Sequence, residues 1–111
     1  MKEEQTSFAR ERERLNQLLI EYGNKSTKRF LNLDEQVYCN GVLDRRTKEM
    51  MGLVASLVLR CDDCIKYHLI QCHEQAVTRE ELQEVLSVAL IVGGSITIPH
   101  IRKAVAFWDG L

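Results

Sequence analysis

Apolar residues recur at helical spacing along most of the chain, and no stretch alternates apolar and polar residues as a half-buried strand would. The chain contains one proline, so little interrupts a run of helices. Pairs of glycine or asparagine mark the breaks instead: Gly23-Asn24, Asn40-Gly41 and Gly93-Gly94. A chain of 111 residues also has the usual size of one domain. The sequence therefore predicts a single all-α domain over residues 1–111, with about six helices.

Polar residues predict where individual helices begin. Thr78 and Glu81 have the spacing of a capping box, in which each side chain accepts a hydrogen bond from the other residue's backbone amide. Ser26 and Asp44 are candidate caps for the second and third helices, and Pro99 suits the first turn of the last one. The body of the third helix, EMMGLVASLVLR, is apolar around most of its circumference. This pattern predicts a central, buried helix.

Apolar stripes predict which helix faces pack inward. Phe30, Leu33 and Val37 form such a stripe on the second helix, and we expect it to face the core. In the last helix, we expect Trp108 to pack in the core or at an interface. His100, in the first turn of that helix, is expected to be simply exposed.

Charge and hydropathy exclude several kinds of partner. The formal net charge is −1, so no global basic field attracts nucleic acid or anionic lipid. No apolar run approaches the roughly 20 residues that span a bilayer, and the segment MKEEQTSFARERERL is too charged for a signal peptide. We therefore expect a cytoplasmic protein with reduced thiols. In that compartment, a CxxC pair is more typical of catalysis or metal binding than of a structural disulfide.

Four reactive side chains share one face of the helix after the central one. Cys61, Cys64, His68 and Cys72 are spaced by three, four and four residues. Zinc needs four ligands, and Cys61 and Cys72 would be roughly 16 Å apart along the axis, so a further ligand must come from elsewhere. Redox chemistry needs only the CxxC pair, in which one thiolate attacks a peroxide or disulfide and its neighbour closes an intramolecular disulfide. His68, one turn after Cys64, suits a base that accepts a thiol proton.

Other groups near this face favour structural interpretations. Cys39 and Cys72 are expected to be buried as small hydrophobic side chains. Glu49, taken alone, is predicted to be a solvated first-turn carboxylate, roughly 18 Å along an unbroken helix from the cysteine pair. Only a break near the segment LRCDD, with Asp62 or Asp63 as a new cap, would bring Glu49 back towards the thiols.

The spacing E-x11-C-x2-C-x3-H is formed by Glu49, Cys61, Cys64 and His68, and a TREELQEVL helix with a Gly-Gly pair follows it. In this pattern the chain resembles the AhpD-like (alkylhydroperoxidase D) branch of the carboxymuconolactone decarboxylase family. The likeness covers about residues 40–108, with residues 1–24 as an N-terminal helix. It implies an all-α fold whose subunits assemble, commonly as homo-trimers or homo-hexamers. It also implies a thiol-dependent hydroperoxidase or disulfide oxidoreductase with no metal or flavin in the subunit.

The resemblance also implies roles for single residues. Cys64 would be the attacking thiol, His68 its proton acceptor, Cys61 the resolving partner and Glu49 a member of the proton relay. The reductant would be a lipoyl-type or other dithiol protein. One position departs from the pattern, because relatives often have an aromatic residue or histidine where this chain has Asp63. An acid there could replace a relay member or raise the pKa of Cys64.

Two other functions stay open at this point. The first is a decarboxylase-type lyase acting on a small lactone acid, although such decarboxylases are not expected to depend on a CxxC pair. The second is a non-catalytic oligomeric assembly protein, which the broad apolar faces of the third and last helices favour. Loss of peroxide-dependent turnover in a Cys64→Ser variant would separate the redox function from both.

Overall fold

The computed structural model describes residues 1–111 and consists of helices without a strand. The helices are α1 (Glu3–Tyr22), α2 (Lys25–Val37), α3 (Arg45–Leu59), α4 (Asp62–Glu74), α5 (Arg79–Gly93) and α6 (Ile98–Asp109), with a short 3-10 turn, Ser95–Thr97, before α6. The predicted all-α fold of about six helices is confirmed. None of these helices combines the length and the apolar character that a membrane crossing requires.

Most helix starts agree with the predicted caps. Thr78 and Glu81 form the capping box, with each side chain accepting the other's backbone amide, at 3.1 and 2.9 Å. Asp44 caps α3 through its side chain. The cap of α2, however, is Asn24 rather than Ser26, because the Asn24 side chain accepts the amide three residues later while Ser26 already lies inside the first turn.

The core lies among α3, α4, α5 and α6. α3 packs against α4 and α5, and α4 packs against α6, so α3 has the central position that its composition predicts. Buried apolar side chains from all four helices meet there. The most fully enclosed of them, at most 1% exposed, are Leu53, Leu57, Leu69, Cys72, Ala89, Ala104 and Phe107.

The apolar stripe of α2, here called the α2 stripe, consists of Phe30, Leu33 and Val37. These side chains are 69%, 56% and 53% exposed, and no residue of α2 is buried. The prediction that the α2 stripe faces inward is therefore wrong for a single chain. The physical reason is that α3 to α6 already enclose the core, so the stripe has no core surface left to cover.

The first half of α1 is fastened to the end of α6. The side-chain amide of the buried Gln5 donates to the Phe107 carbonyl at 2.8 Å. Phe8 packs edge-on against Phe107, with ring centroids 5.7 Å apart. These contacts hold α1 beside α4, where the Arg12 guanidinium lies 3.8 Å above the centroid of the Tyr67 ring.

Candidate active site

The chain reverses direction between α3 and α4, at Arg60 and Cys61. Arg60 ends α3 in the left-handed conformation (φ 60°, ψ 40°). Cys61 is the N-cap of α4, and its sulfur accepts the Cys64 amide at 3.3 Å. The helix break is thus present, but neither Asp62 nor Asp63 is the cap. No glycine marks the break because an arginine takes up the conformation that side chains generally disfavour.

Cys61 and Cys64 are joined by a disulfide, with Cα atoms 5.3 Å apart. Cys64 is exposed, whereas Cys61 is half-buried. Of the two sulfurs, that of Cys64 is therefore the one that an external molecule can reach more easily. The pair lies at the start of α4, where the free backbone amides and the positive end of the helix dipole favour a thiolate.

The reversal brings α3 back beside α4, so that Glu49 meets His68. His68 Nδ1 lies 2.8 Å from Glu49 Oε2, and Glu49 is fully buried. The prediction of a solvated Glu49 is wrong, because the chain folds back instead of continuing along one helix. The Arg45 guanidinium lies 3.8 Å from the second carboxylate oxygen, Oε1, which accepts no hydrogen bond. With Nδ1–H donating to Glu49, Nε2 is the imidazole nitrogen that can take a proton.

Gly52 makes room for the imidazole on α3. A Cβ atom added there would lie 2.7 Å from His68 Cε1, 2.9 Å from His68 Nε2 and 2.7 Å from the Tyr38 hydroxyl oxygen. These separations are shorter than real Cβ contacts, so the close approach of α3 to the ring depends on glycine. Neither Gly52 nor Tyr38 was predicted from the sequence to belong to the site. The only signal available for Gly52 was a glycine inside an otherwise apolar helix.

Two tyrosines flank the imidazole. The ring centroids of Tyr38 and Tyr67 lie 5.4 and 5.1 Å from that of His68. Burial, followed by the charge of Glu49, raises the pKa of both phenols. Both therefore keep their protons at neutral pH, where they are available as hydrogen-bond donors.

A cleft of about 230 Å³ opens onto the cysteine–histidine pair. Its walls come from α1, α2 and α4, and the residues that line it are Phe8, Arg12, Asp34, Asp63, Cys64, Tyr67 and His68. Of the four site residues predicted from the sequence, Cys64 and His68 face the cleft. Cys61 and Glu49 lie behind them, the first bonded to Cys64 and the second hydrogen-bonded to His68.

The two aspartates of the CDDC segment have different surroundings. Asp62 pairs with His100 on α6, with Nδ1 2.8 Å from Oδ1, and with Lys103 Nζ at 3.3 Å. The hydrogen bond from His100 holds the pKa of Asp62 below its usual value. Asp63 lines the cleft and forms no ion pair. The prediction that His100 is simply exposed is wrong, since α6 packs against α4 and brings it to Asp62. Trp108 packs against the core, as predicted.

The other two cysteines lie apart from the pair. Cys72 is buried as predicted, and burial raises its pKa to about 12, which makes it an inert thiol at neutral pH. Cys39 is exposed, so its predicted burial is wrong. It directly follows α2, the helix that contributes nothing to the core. No group of three or more His, Cys, Asp or Glu side chains is arranged to hold a metal ion.

The amino-acid sequence of this chain is similar to those of several known proteins. The profile of the carboxymuconolactone decarboxylase family matches residues 25–107. "Uncharacterized protein 4 in cox locus" of Paracoccus denitrificans is 31% identical over 80 residues, which are 72% of each chain. An uncharacterized protein of Cupriavidus necator is 33% identical over 72 residues, which cover 65% of this chain and 64% of that protein. The second match thus spans just under two thirds of the relative.

Crystal structures of similar proteins have the same arrangement of helices. A carboxymuconolactone decarboxylase family protein of Thermotoga maritima, for which an involvement in antioxidative response has been suggested, is 54% identical. It superposes with a TM-score of 0.89, covering 93% of this chain and 87% of that one. A carboxymuconolactone decarboxylase family protein of Legionella pneumophila, 21% identical, shares the fold with a TM-score of 0.87 over 97% of this chain and 96% of its own. With most of its length matched by the family profile, the chain belongs to the carboxymuconolactone decarboxylase family.

Proposed function

We propose that this protein is a thiol-dependent hydroperoxidase or disulfide oxidoreductase that cycles through the Cys61–Cys64 disulfide. One observation carries the proposal: the exposed Cys64 is bonded to Cys61 and shares a cleft with His68, whose imidazole is held by the buried Glu49. A paired thiol, a base and an orienting carboxylate are the parts that an activated sulfur nucleophile needs. The antioxidative involvement suggested for the Thermotoga maritima relative is consistent with this chemistry.

The reaction begins when His68 takes the proton of Cys64, and Glu49 stabilises the imidazolium that forms. The thiolate attacks the terminal, hydrogen-bearing oxygen of a hydroperoxide, and the O–O bond breaks. The departing alkoxide takes the proton from His68 and leaves as an alcohol, while Cys64 becomes a sulfenic acid. Cys61 then attacks the Cys64 sulfur, and water leaves as the disulfide forms. With a disulfide as oxidant, Cys64 forms a mixed disulfide and Cys61 releases the second thiol.

A dithiol donor completes the cycle. Its two thiols reduce the Cys61–Cys64 bond and become a disulfide themselves, so two electrons and two protons pass to the protein. A lipoyl-type or other dithiol protein suits this step because the Cys64 sulfur is accessible. We place the cycle in the cytoplasm, since that compartment keeps dithiols reduced and the free thiols of Cys39 and Cys72 are typical of proteins there.

Replacing Cys64 with serine should abolish disulfide formation by an alkyl hydroperoxide at pH 7. Intact mass measures the rate of disulfide formation, and peptide mapping assigns the bond. The urea-unfolded protein gives the reference rate of the same thiols without the folded site. We expect the folded wild type to react about 100-fold faster than the unfolded chain.

Cys39→Ser is the matched control, because it removes an exposed thiol that lies outside the cleft. It should keep the wild-type rate. Equal rates for folded and unfolded protein, or oxidation at Cys39 and Cys72 instead, would refute the hydroperoxidase. The disulfide oxidoreductase is then tested with a small disulfide as the oxidant, and equal rates there as well would favour the lyase or the non-catalytic alternative.

The proposed function includes assembly of identical chains into a trimer or hexamer. α3 and α5 leave open an apolar groove of about 510 Å³, lined only by hydrophobic residues, among them Met51, Val58 and Val88. The α2 stripe is an uncovered apolar helix face, the kind of surface that fills such a groove. A second copy of the chain therefore supplies a helix of suitable chemistry for the groove of the first.

Met51→Glu should dissociate this assembly, because it places an unpaired charge in the groove. Sedimentation equilibrium measures the mass of the wild type and the variant. Val105→Glu puts the same charge at a half-exposed position on α6 and should leave the mass unchanged. A wild-type protein with the mass of one chain would exclude the assembly.

A further inference from the structure

We propose that the cleft selects substrates by charge, so that uncharged and cationic peroxides or disulfides react in preference to anionic ones. This inference rests on the proposed function and names the substrate class of the same site. Its basis is a pair of carboxylates on the walls. Asp63 is the chain neighbour of Cys64 and lines the cleft from α4, while Asp34 lines it from α2. Neither carboxylate forms an ion pair with a cationic side chain.

Besides these two acids, the residues that line the cleft include one cationic side chain, Arg12. Two carboxylates and one guanidinium leave one net negative charge on the cleft walls. The Arg12 guanidinium lies over the Tyr67 ring, 3.8 Å from its centroid, whereas Asp63 adjoins the attacking residue itself. An approaching anion therefore enters a cleft that the carboxylate of Asp63 and the Cys64 residue both line.

Asp62 shows the contrast at the same end of α4. Its carboxylate is paired with His100 and Lys103, so its charge is compensated on the side of α6. Asp63 and Asp34 have no such partners. The acids that face an incoming substrate are thus the two whose charge is left uncompensated by a direct contact.

The expected size of the rate preference follows from the exposure of the two carboxylates to solvent. Charged clefts change association rates by about 10- to 1000-fold at low ionic strength. Solvent-exposed charges act at the lower end, because water and salt screen them. We therefore expect a cationic substrate to react roughly tenfold faster than an anionic one at low salt, with the preference shrinking as salt is added.

The test uses three disulfides of similar length, each with two methylene groups between the sulfur and the end group: cystamine, 2-hydroxyethyl disulfide and 3,3′-dithiodipropionate, which carry ammonium, hydroxyl and carboxylate ends. Each oxidises the reduced Cys61–Cys64 pair and leaves as two thiols, so the electrons balance. The reagents also differ in the pKa of the departing thiol. Each rate is therefore divided by the rate of the urea-unfolded protein with the same reagent. The unfolded chain keeps Asp63 beside Cys64 but loses the tertiary contribution of Asp34.

Single charge changes identify the source of the preference. Asp34→Asn and Asp63→Asn should each raise the rate with the anionic disulfide, relative to cystamine, by about threefold. Arg12→Gln should change that ratio in the opposite direction. Asp109→Asn removes the same charge from the end of α6, outside the cleft, and should leave the order of the three reagents unchanged.

The outcomes separate the two proposals. In one outcome, the folded protein reacts faster than the unfolded one with the uncharged disulfide, yet gives equal normalised rates with the cationic and the anionic disulfide. This result overturns the charge selection and leaves the proposed function standing. Equal folded and unfolded rates, both with the uncharged disulfide and with an alkyl hydroperoxide, overturn the proposed function. In that case the normalised ratio for the charged reagents still decides the charge selection by itself.

Discussion

Glu49→Gln should slow peroxide-driven formation of the Cys61–Cys64 disulfide by about 100-fold or more. Glutamine keeps the size of the side chain and can still accept from His68 Nδ1. It lacks the negative charge that stabilises the imidazolium formed when Cys64 loses its proton. Single-turnover rates with an alkyl hydroperoxide, followed across the neutral pH range, measure the loss. Circular dichroism before the reaction confirms that the variant is folded.

Glu35→Gln is the control for Glu49→Gln. Glu35 is the other carboxylate near Arg45, with its Oε1 3.6 Å from the guanidinium, but its side chain is exposed and does not contact His68. Both variants remove one negative charge close to Arg45. Equal slowing in the two variants would assign the effect to the charge around Arg45 rather than to the contact between Glu49 and His68. An unchanged rate in Glu49→Gln would exclude Glu49 from the reaction.

Gly52→Ala should slow the same reaction by about 10- to 100-fold, although alanine is the better helix former. The new methyl group would lie 2.7 to 2.9 Å from the His68 ring and 2.7 Å from the Tyr38 hydroxyl. Either the imidazole leaves Glu49 or α3 moves away from α4. In an open helix this change would stabilise the fold by about 1 kcal/mol. Here we expect the free energy of unfolding to fall by about 1–3 kcal/mol, measured by urea titration at one protein concentration.

Two further variants separate the causes. Ala106→Gly, at an exposed position on α6 outside both the cleft and the α3–α5 groove, reports helix propensity and should leave the reaction rate unchanged. Tyr38→Phe added to Gly52→Ala removes the hydroxyl from one of the close contacts and should recover part of the lost stability. The rate should stay low in the double variant, since the contact with the imidazole persists. A more stable and fully active Gly52→Ala protein would contradict the described packing.

The predicted helices agree with the structure where the signals are local. The capping box of Thr78 and Glu81 and the Gly93-Gly94 pair at the end of α5 act within one turn of helix, so a few neighbouring residues decide them. The α2 stripe shows the limit of such signals. Periodicity identifies an apolar face, but not whether that face meets the chain's own core. The local cap was also misassigned there, because Asn24 and Ser26 are both good capping residues two positions apart.

In the candidate site, too, the features that depend on neighbouring residues were predictable, and those that depend on helix packing were not. The positions of Cys61, Cys64 and His68 relative to one another are set within a single helix start, so their spacing already predicts a thiol pair with a base nearby. The pairing of Glu49 with His68 depends on a reversal of the chain at Arg60. No glycine or proline near Arg60 indicates this reversal in the sequence. The room that Gly52 leaves, and the cleft between α1, α2 and α4, exist only once these helices pack. Hydrogen bonds inside a helix are local, whereas contacts between helices join residues that the sequence keeps far apart.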